Sequence, residues 1–291
     1  MKKHIWFIVN PVSGGKNKKL IPGQIEKLID PERFNAEIVI TTSSQQTRDI
    51  AHQAVQKNLD AVIAVGGDGT INDIASRLVN SSVALGIIPF GSGNGFARAL
   101  KIPVSVKQSI ALINRFQLKD VDACVVNGHF FCNVGGVGFD AHIANQFQTS
   151  VSRGLWNYTK LVLRELRFYK PRHYKLLVDD QPYETDAFLI TVCNGNQFGN
   201  NAFIAPGADL SDGLMNVVIL ENCSLASAPK LAWQLFSGTI SSNPNVKTFL
   251  VKKLELVQPN SERLVNVDGE AVAISESLEF SLMQGALKVL V

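Results

Sequence analysis

The stretch VIAVGGDGTIN, residues 62–72, predicts a buried strand that ends in a tight glycine turn and leads into a helix. Because Gly66 and Gly67 lack a Cβ, phosphate oxygens can approach the backbone N–H groups of such a turn, and the helix dipole favours an anion there. Asp68 would repel bare phosphate, so it indicates a divalent cation such as Mg²⁺, held directly or through water. The pattern favours a metal–nucleotide site, although a structural turn with a surface aspartate gives the same short motif.

Composition and length narrow the class of protein. The chain has 291 residues, a hydrophobic fraction of 46% and a net charge of +3, which together favour a globular protein of two domains. The charge is too small to indicate a nucleic-acid partner. The four cysteines form no C-x-x-C pair, so we expect reduced thiols rather than a zinc site. The first apolar run is too short for a signal peptide, and no stretch is long enough to span a membrane, which favours a soluble, cytoplasmic protein.

The first 100 residues alternate between strand and helix patterns. Repeated strand–helix units predict a parallel sheet with flanking helices, in which ligands bind at the carboxyl ends of the strands. Three glycine- or asparagine-rich loops, at residues 10–15, 66–70 and 91–95, fall at such ends and are expected to converge. The predicted strands are 5–9, 37–41, 61–65 and 85–88, and the predicted helices are 20–29, 47–57, 70–78 and a short one ending at residue 100.

Strand patterns dominate after Lys119. Asn127-Gly128 and residues 179–181 are hairpin turn signals, so we expect an antiparallel β domain. The predicted domains are 1–124 and 125–291, and the final apolar run, 286–291, is a candidate strand that returns to the first domain. The other predicted strands are 121–126, 129–133, 174–178, 182–193, 214–220, 248–258, 263–267 and 278–282.

Several acidic residues of the second half are candidates for chemistry. Asp268 and Glu270 flank a glycine directly after a predicted strand, and such a pair can act as a base or hold a metal. An ordinary Asp-Gly turn between two strands would give the same pattern, and Asp212-Gly213 has the same ambiguity. Asp122 lies near the predicted domain boundary, where it would either face a ligand or cap a strand.

Five motifs occur together and in a fixed order: Asn-Pro-x-Ser-Gly at 10–14, Gly-Gly-Asp-Gly-Thr-Ile-Asn at 66–72, Gly-Ser-Gly-Asn at 91–94, Asp-Gly at 212–213 and Asp-Gly-Glu at 268–270. This set resembles the diacylglycerol kinase catalytic-domain family, in its bacterial lipid kinase branch, which is related to sphingosine and ceramide kinases. The resemblance covers nearly the whole chain. It implies a phosphofructokinase-like α/β domain joined to an antiparallel β-sandwich domain, and an ATP-dependent, Mg²⁺-assisted kinase that acts on a lipid hydroxyl such as that of diacylglycerol or a sphingoid lipid.

The resemblance also implies roles for individual residues. Asp68 and Asp122 would hold the catalytic Mg²⁺, and Asp212 would belong to a second, structural metal site. Asp268 and Glu270 would supply the base, with the choice between them open. The implied nucleotide contacts are Asn10, Thr41, Gly66, Gly67, Asp68, Gly69, Thr70, Ile71, Asn72 and Ser92.

Two positions depart from the family pattern. Gly95 stands where most relatives have an aspartate after the Gly-x-Gly-Asn run, which leaves the lipid acceptor open. Asp209 and Leu214 stand where some bacterial members have Lys and Tyr around the Asp-Gly, which leaves the structural metal site open. The alternatives are an NAD kinase-like phosphotransferase, which shares the Gly-Gly-Asp-Gly-Thr loop, and a non-catalytic lipid-binding protein on a kinase scaffold.

A lipid substrate would require contact with the inner face of the membrane. Residues 153–172 read as an amphipathic helix in which Lys160, Arg164 and Arg167 share one face and apolar residues recur on another. Such a helix either lies at an anionic bilayer surface or packs on the core with a solvated basic face. Peripheral membrane contact and a homodimer are both open, and no nucleic-acid partner is expected.

Overall fold

The computed structural model describes residues 1–11, 20–148, 155–257 and 263–291. The chain divides into two compact units, and we call Met1–Asp122 with Gln284–Val291 the N-terminal unit and Ala123–Met283 the C-terminal unit. Among the described residues, no helix is both long enough and apolar enough to cross a membrane. The expected loop at 10–15 and the start of the amphipathic helix at 153 lie partly outside the described residues.

The N-terminal unit contains a parallel sheet in the order β2-β1-β3-β4. Val9 pairs with both Ile40 and Val65, so three strands end at the same edge. Gly66 pairs with Pro89, which adds the end of the fourth strand to that edge. The expected parallel α/β fold is therefore confirmed. The elements are β1 Lys3–Val9, α1 Ile21–Leu28, β2 Phe34–Ile40, α2 Ser44–Gln56, β3 Ala61–Gly66, α3 Asp68–Leu78, β4 Ala84–Pro89, α4 Gly95–Ala99, α5 Val106–Arg115 and β5 Leu118–Val126.

The apolar faces of the helices pack on the sheet and complete the core of this unit. Ile21 and Ile25 of α1, four residues apart, are buried against the sheet, as the 3.6-residue helical period requires. Ile110 and Ile113 do the same for α5, a helix that the sequence analysis did not identify. Both faces of β3 are buried, which explains why its sequence is a continuous apolar run rather than an alternating one.

The C-terminal unit is built from antiparallel strands in two sheets. One sheet has the order β12-β11-β10-β7-β14-β15, and the other contains β13, β8 and β9 together with the beginning of β16. Side chains of both sheets form one buried cluster, as in a β-sandwich. The remaining elements are β6 His129–Phe131, β7 Val134–Gly138, α6 Phe139–Gln148, α7 Leu155–Leu166, β8 Arg172–Val178, β9 Gln181–Ala187, β10 Leu189–Cys193, β11 Met215–Leu220, α8 Ala228–Ser237, β12 Val246–Val251, β13 Lys253–Leu256, β14 Arg263–Val267, β15 Glu270–Ile274 and β16 Leu278–Leu290.

The two expected hairpin turns are confirmed by their backbone conformation. Asn127 and Gly128 have φ of 45° and 81° between β5 and β6, and Asp179 and Asp180 have φ of 45° and 66° between β8 and β9. Positive φ at both central residues is the signature of the type I′ turn, which matches the twist of antiparallel strands.

Three assignments of strands were wrong in their bounds. The expected strand 182–193 is two strands, β9 and β10, which belong to different sheets. The expected strand 248–258 is two strands, β12 and β13, which belong to different sheets. The chain changes sheet at Lys252, where the N–H groups of Lys252 and Lys253 both donate to Oδ1 of Asp179, at 3.0 and 2.9 Å. Conversely, residues 278–282 and 286–291 were treated as separate strands, whereas β16 is one strand of 13 residues. The errors at 182–193 and 248–258 arise because a change of sheet depends on tertiary contacts, whereas β16 stays in one sheet and continues through Gly285, which has φ 59°.

Candidate functional site

Two glycine turns meet at the carboxyl edge of the parallel sheet. A Cβ on Gly91 would lie 2.7 Å from the Cα of Gly67, and a Cβ on Gly67 would lie 3.0 Å from the Cα of Gly91. Side-chain carbons do not tolerate the first distance, so Gly91 is required, and the second is close enough that a side chain at Gly67 would push the turns apart. The turns at 66–70 and 91–95, which the sequence predicted to converge, are therefore in direct backbone contact.

Asn94 and Asp68 fix the relative position of these turns. Asn94 is buried and adopts the left-handed conformation with φ 51°. Its Oδ1 accepts the N–H of Gly91 at 2.7 Å, and its Nδ2 donates to the carbonyl oxygen of Gly91 at 2.9 Å. Its backbone N–H donates to Oδ2 of Asp68 at 2.9 Å. Asp68 therefore has a positioning role that the sequence analysis missed, and the Gly-Ser-Gly-Asn run was the only available signal for Asn94.

The first turn of α3 presents donors to this edge. The first hydrogen bond of α3 runs from the N–H of Ile71 to the carbonyl oxygen of Gly67, at 3.0 Å. The N–H groups that precede Ile71 have no acceptor within the helix, and the positive end of the helix dipole lies there. Asp68, the first residue of α3, places its carboxylate at that positive end.

Thr70 carries a buried hydroxyl in the same turn. Within the part of the chain that the structure describes, Oγ1 of Thr70 has no hydrogen-bond partner, and the residue is 3% exposed. A Cβ on Gly66 would lie 2.5 Å from both Cβ and Oγ1 of Thr70, so glycine is required for this side chain to fit. A buried hydroxyl without a partner costs about 1–3 kcal/mol, and a ligand oxygen at the helix terminus would remove that cost.

The other expected nucleotide contacts lie on or near the same edge. Asn10 directly follows β1 and is half-buried, and Ser92 is exposed in the turn after β4. The N–H of Thr41 donates to the carbonyl oxygen of Val9 at 3.0 Å. The hydroxyl of Thr41 is fully buried and lies 2.9 Å from Oγ1 of Thr47 in α2, so it is engaged inside the protein. Gly69, Ile71 and Asn72 lie in the first two turns of α3.

Asp122 is a buried residue of β5, and the first segment of the N-terminal unit ends at this residue. Its Oδ1 accepts the N–H of Gly285 at 2.7 Å, at a point of β16 where the backbone has φ 59°. The residue is 1% exposed. The contact shows a structural role for Asp122, and its role as a Mg²⁺ ligand stays a prediction.

Asp68 and Asp122 are the residues that would hold the implied Mg²⁺. Asp68 and Asp122 offer carboxylate oxygens, the hard ligands that this ion prefers, and each carboxylate has more acceptor sites than the single N–H bond named above uses. Among the described residues, no group of three or more His, Cys, Asp or Glu side chains could hold a metal. Carboxylates are ligands that suit a Mg²⁺ ion, and binding of this ion by Asp68 and Asp122 stays a prediction.

In the C-terminal unit, Asp268 is held by a row of backbone donors. Its Oδ2 accepts the N–H of Cys132 at 2.8 Å, and its Oδ1 accepts those of Asn133 and Val134 at 2.9 and 3.0 Å. Its own N–H donates to the carbonyl oxygen of Val134 at 2.9 Å. Both carboxylate oxygens thus bind the segment between β6 and β7. These hydrogen bonds offset the cost of the left-handed backbone conformation of Asp268, which has φ 49°.

Glu270 differs from Asp268 in its surroundings. It is the first residue of β15, pairs with Val267 across the turn, and is exposed. An exposed carboxylate at the start of a strand can reach a ligand, whereas the carboxylate of Asp268 is turned towards backbone donors of its own unit. The structure thus separates two residues that the sequence could not distinguish.

Asp212, the expected structural metal ligand, lies in an exposed turn before β11. Its Oδ1 accepts the N–H of Leu214 at 3.0 Å, an arrangement that closes a local Asx-turn. Asp209 makes the same kind of turn with the N–H of Ser211, at 3.0 Å. The local geometry explains both residues as turn formers, and the metal site at Asp212 stays a prediction.

Asp140 is a buried carboxylate that the sequence analysis did not identify. Burial raises the pKa of Asp140 to about 7, and the N–H of Ala141 (2.8 Å), the side chain of Asn266 (3.4 Å) and the hydroxyl of Thr191 (3.5 Å) oppose that rise only in part. Asp140 lies in the first turn of α6, which follows a run of four residues with three glycines between Val134 and Phe139. A Cβ on Gly136 would lie 3.0 Å from Oδ2 of Asp140, so the glycine makes room for the carboxylate.

We predict that Asp140 makes the protein less stable as the pH rises. The folded state binds the Asp140 proton more tightly than the unfolded chain, so its contribution is fully present below about pH 4 and is lost as the pH rises through about 7. Relative to wild type, the free energy of unfolding of Asp140→Asn should increase by about 2–4 kcal/mol between pH 4 and pH 8. Urea unfolding at several pH values measures this difference, with the exposed Asp180→Asn as a matched control. A difference independent of pH would contradict the prediction.

Comparison with known proteins identifies the family. Residues 4–126 match the diacylglycerol kinase catalytic domain, and residues 133–291 match the YegS C-terminal NAD kinase beta sandwich-like domain. The chain belongs to the YegS-like lipid kinase family. The resemblance inferred from the five ordered motifs is thereby confirmed, and the glycine turns, Asp68 and Asn94 lie in the part that matches the kinase catalytic domain.

Relatives within the lipid kinase family cover most of the chain. A protein of Pectobacterium atrosepticum named "Probable lipid kinase YegS-like" is 28% identical over 272 residues, which are 91% of this chain and 88% of the relative. A protein of Yersinia pestis with the same name is 29% identical over 254 residues, which are 85% of this chain and 84% of the relative. The similarity to proteins named as lipid kinases therefore extends along most of the chain.

Solved structures agree with the fold of this lipid kinase family. A crystal structure of a diacylglycerol kinase from Bacillus anthracis is 21% identical, with a TM-score of 0.75, and the match covers 99% of this chain and 96% of that one. Another crystal structure from the same organism has a TM-score of 0.80 at 23% identity, with the same coverage. At these identities the likeness shows the fold.

Proposed function

We propose that this lipid kinase transfers the γ-phosphoryl group of ATP to the hydroxyl of a membrane lipid such as diacylglycerol or a sphingoid lipid. The observation that carries the proposal is the contact between two glycine turns at the start of α3, beside the buried hydroxyl of Thr70. Backbone N–H groups, a helix N-terminus and an unsatisfied hydroxyl together suit phosphate oxygens. The carboxylate of Asp68 in the same turn suits Mg²⁺ rather than bare phosphate.

Each part of the N-terminal site has a distinct task in this proposal. The N–H groups at the start of α3 bind phosphate oxygens, Thr70 donates its hydroxyl proton to one of them, and the Asn94–Asp68 contact keeps the two turns in register. When bound, Mg²⁺ would neutralise negative charge on the transferred phosphoryl group. Phosphoryl transfer depends mainly on such positioning and charge stabilisation, which rigid backbone turns are suited to provide.

Glu270 is the proposed base, and Asp268 is a positioning residue. Glu270 is exposed, so its carboxylate can accept the proton of the lipid hydroxyl as the bond to phosphorus forms. Asp268 accepts three backbone N–H groups and holds the turn that carries Glu270. This assignment goes beyond the family resemblance, which leaves the two carboxylates open.

The proposed site of action is the inner face of the cytoplasmic membrane, with the protein bound peripherally. A lipid acceptor has its hydroxyl at the bilayer surface, so the proposed reaction requires the protein to dock on that surface. Lys160 and Arg164 of α7 support such docking, together with Arg167 directly after this helix, because anionic headgroups attract cations. The helix ends at Leu166, earlier than the expected 172.

A single labelling experiment tests the proposed function. The protein is incubated with γ-labelled ATP and a total lipid extract, with and without Mg²⁺, and the labelled product is identified. We expect one phosphorylated lipid that forms only when Mg²⁺ is present. A parallel incubation with NAD as acceptor addresses the alternative activity. Labelled NAD in the absence of any labelled lipid would refute the proposal.

A further inference from the structure

The helix α8 of the C-terminal unit presents large apolar side chains to solvent. Trp233 and Phe236 are 65% and 60% exposed, and Leu225, in the segment before the helix, is 49% exposed. Ala228 and Leu231 pack on the buried cluster that includes Phe188 and Leu220. The helix therefore exposes its largest apolar side chains, while its buried residue is the polar Gln234. We call Leu225, Trp233 and Phe236 the α8 face.

The helix α7 packs on the same cluster. Val162, Leu161 and Leu166 are its contacts with the cluster, so most of the apolar stripe expected from the sequence faces the protein. On the exposed side, Trp156 and Leu163 are 71% and 52% exposed, and a spacing of seven residues puts them on one side of the helix. Both helices thus cover one buried cluster and expose aromatic or aliphatic side chains beyond it.

The charges near these side chains are mostly positive. Residues 155–172 contain five basic residues and one acidic residue, Glu165. Oε2 of Glu165 lies 2.8 Å from Nε2 of His142, and its Oε1 accepts the Nε–H of Arg164 at 2.8 Å, so this carboxylate is paired. Residues 222–240 contain Lys230 and no acidic residue. The exposed apolar side chains are therefore accompanied by cations.

We propose that the α8 face inserts into the interface of an anionic lipid bilayer, with the cations of α7 contacting the headgroups. The proposal rests on the proposed function, because a lipid acceptor gives the protein a reason to dock on a membrane. Helices that carry Trp, Phe and Leu on one side and Lys and Arg nearby bind bilayer interfaces through both apolar burial and charge. The sequence indicated only the basic half of this surface, and α8 supplies the apolar half.

A second copy of the chain fits this surface less well. In a symmetric dimer the same patch contacts itself, so Lys230 and the basic residues of α7 would face their own copies. The cores of protein interfaces are depleted in Lys and in charged residues generally. An anionic bilayer instead offers opposite charge beside an apolar interior.

Vesicle binding and fluorescence test the proposal. The probes are vesicles of phosphatidylcholine with about one-fifth phosphatidylglycerol, the composition chosen to give a negative surface. The double variant Trp233→Ser/Phe236→Ser should lose about tenfold or more in vesicle affinity. The matched control is Val104→Ser/Leu250→Ser, two exposed apolar residues outside both helices, which should bind as wild type does. The variant Lys160→Gln/Arg164→Gln/Arg167→Gln should lose about a hundredfold at low salt and much less at high salt.

Fluorescence reports the insertion itself. In Trp156→Phe, the remaining tryptophans are Trp6, which is 7% exposed, and Trp233. Vesicles that contain brominated phosphatidylcholine should therefore quench Trp233. Equal vesicle binding by wild type and Trp233→Ser/Phe236→Ser, or no quenching, would overturn the proposal. So would a concentration-dependent dimer that the double variant dissociates while vesicle binding is unchanged.

Activity is measured separately, so that the two proposals fail independently. On a short-chain lipid dispersed in detergent, Trp233→Ser/Phe236→Ser should phosphorylate at the wild-type rate, because the α8 face has no part in the chemistry. Vesicle binding and quenching by a protein that labels no lipid would support the α8 face and refute the proposed function.

Discussion

Replacing Glu270 with Gln should lower the rate of phosphoryl transfer to lipid by about 10²–10⁴. The amide has the shape of the carboxylate but cannot accept the hydroxyl proton. Because Glu270 is exposed at the start of β15, the exchange should leave the unfolding temperature and the affinity for ATP near their wild-type values. Transfer rate, nucleotide titration and thermal unfolding of the same preparation measure the three quantities.

The matched variant Asp268→Asn should behave in the opposite way. Three backbone N–H groups converge on the Asp268 carboxylate, and an amide would turn its NH₂ group towards at least one of these donors. We expect a loss of about 2–4 kcal/mol in the free energy of unfolding, with residual transfer by the molecules that remain folded. If Asp268→Asn were fully stable and inactive while Glu270→Gln retained its activity, the roles of the two residues would be exchanged.

Replacing Asp68 with Asn should reduce kcat by about 10²–10³, the usual effect of removing one charge-stabilising group. The substitution is informative because the amide oxygen of Asn can still accept the N–H of Asn94, which Asp68 accepts at 2.9 Å in the wild type. The contact between the glycine turns should therefore survive, while the negative charge that suits Mg²⁺ is lost. Measuring kcat over a range of Mg²⁺ concentrations tests the expectation.

A carboxylate elsewhere on the same helix provides the control for Asp68. Asp73 is buried in α3 and pairs with Arg48 of α2 at 2.6 Å. Asp73→Asn should lower stability and leave the kcat of the folded molecules unchanged. Near-normal kcat in folded Asp68→Asn would mean that the carboxylate serves only to hold Asn94.

Local sequence signals were sufficient for the fold class. The parallel sheet was predictable because an apolar strand, a turn and an amphipathic helix recur, and each signal lies within about ten residues. The hairpin at Asn127-Gly128 was predictable because both residues favour positive φ. The helix α8 was not predicted, although a proline in its first turn and Gly238 directly after its end are the usual start and stop signals of a helix.

The motifs of the candidate site could be predicted from the sequence, whereas the hydrogen-bond partners of its residues could not. The convergence of the two glycine turns followed from the rule that parallel strands end at one edge. The partners of Asp268 are more than 130 residues away in sequence, and the partner of Asp122 is 163 residues away. No spacing rule links such residues, and only the fold shows that one carboxylate is enclosed by backbone donors while its neighbour Glu270 is exposed.

The position of strand β16 limits where the kinase can be cut into fragments that fold separately. Its last residues belong to the N-terminal unit, where Val289 pairs with Leu85 of β4 and Leu290 is fully buried. A fragment that ends at residue 126, where the match to the catalytic domain ends, would lack this strand and leave β4 as an open, apolar edge prone to aggregation. The N-terminal unit is thus discontinuous in sequence, and during synthesis its sheet stays incomplete until residues 284–291 have emerged from the ribosome.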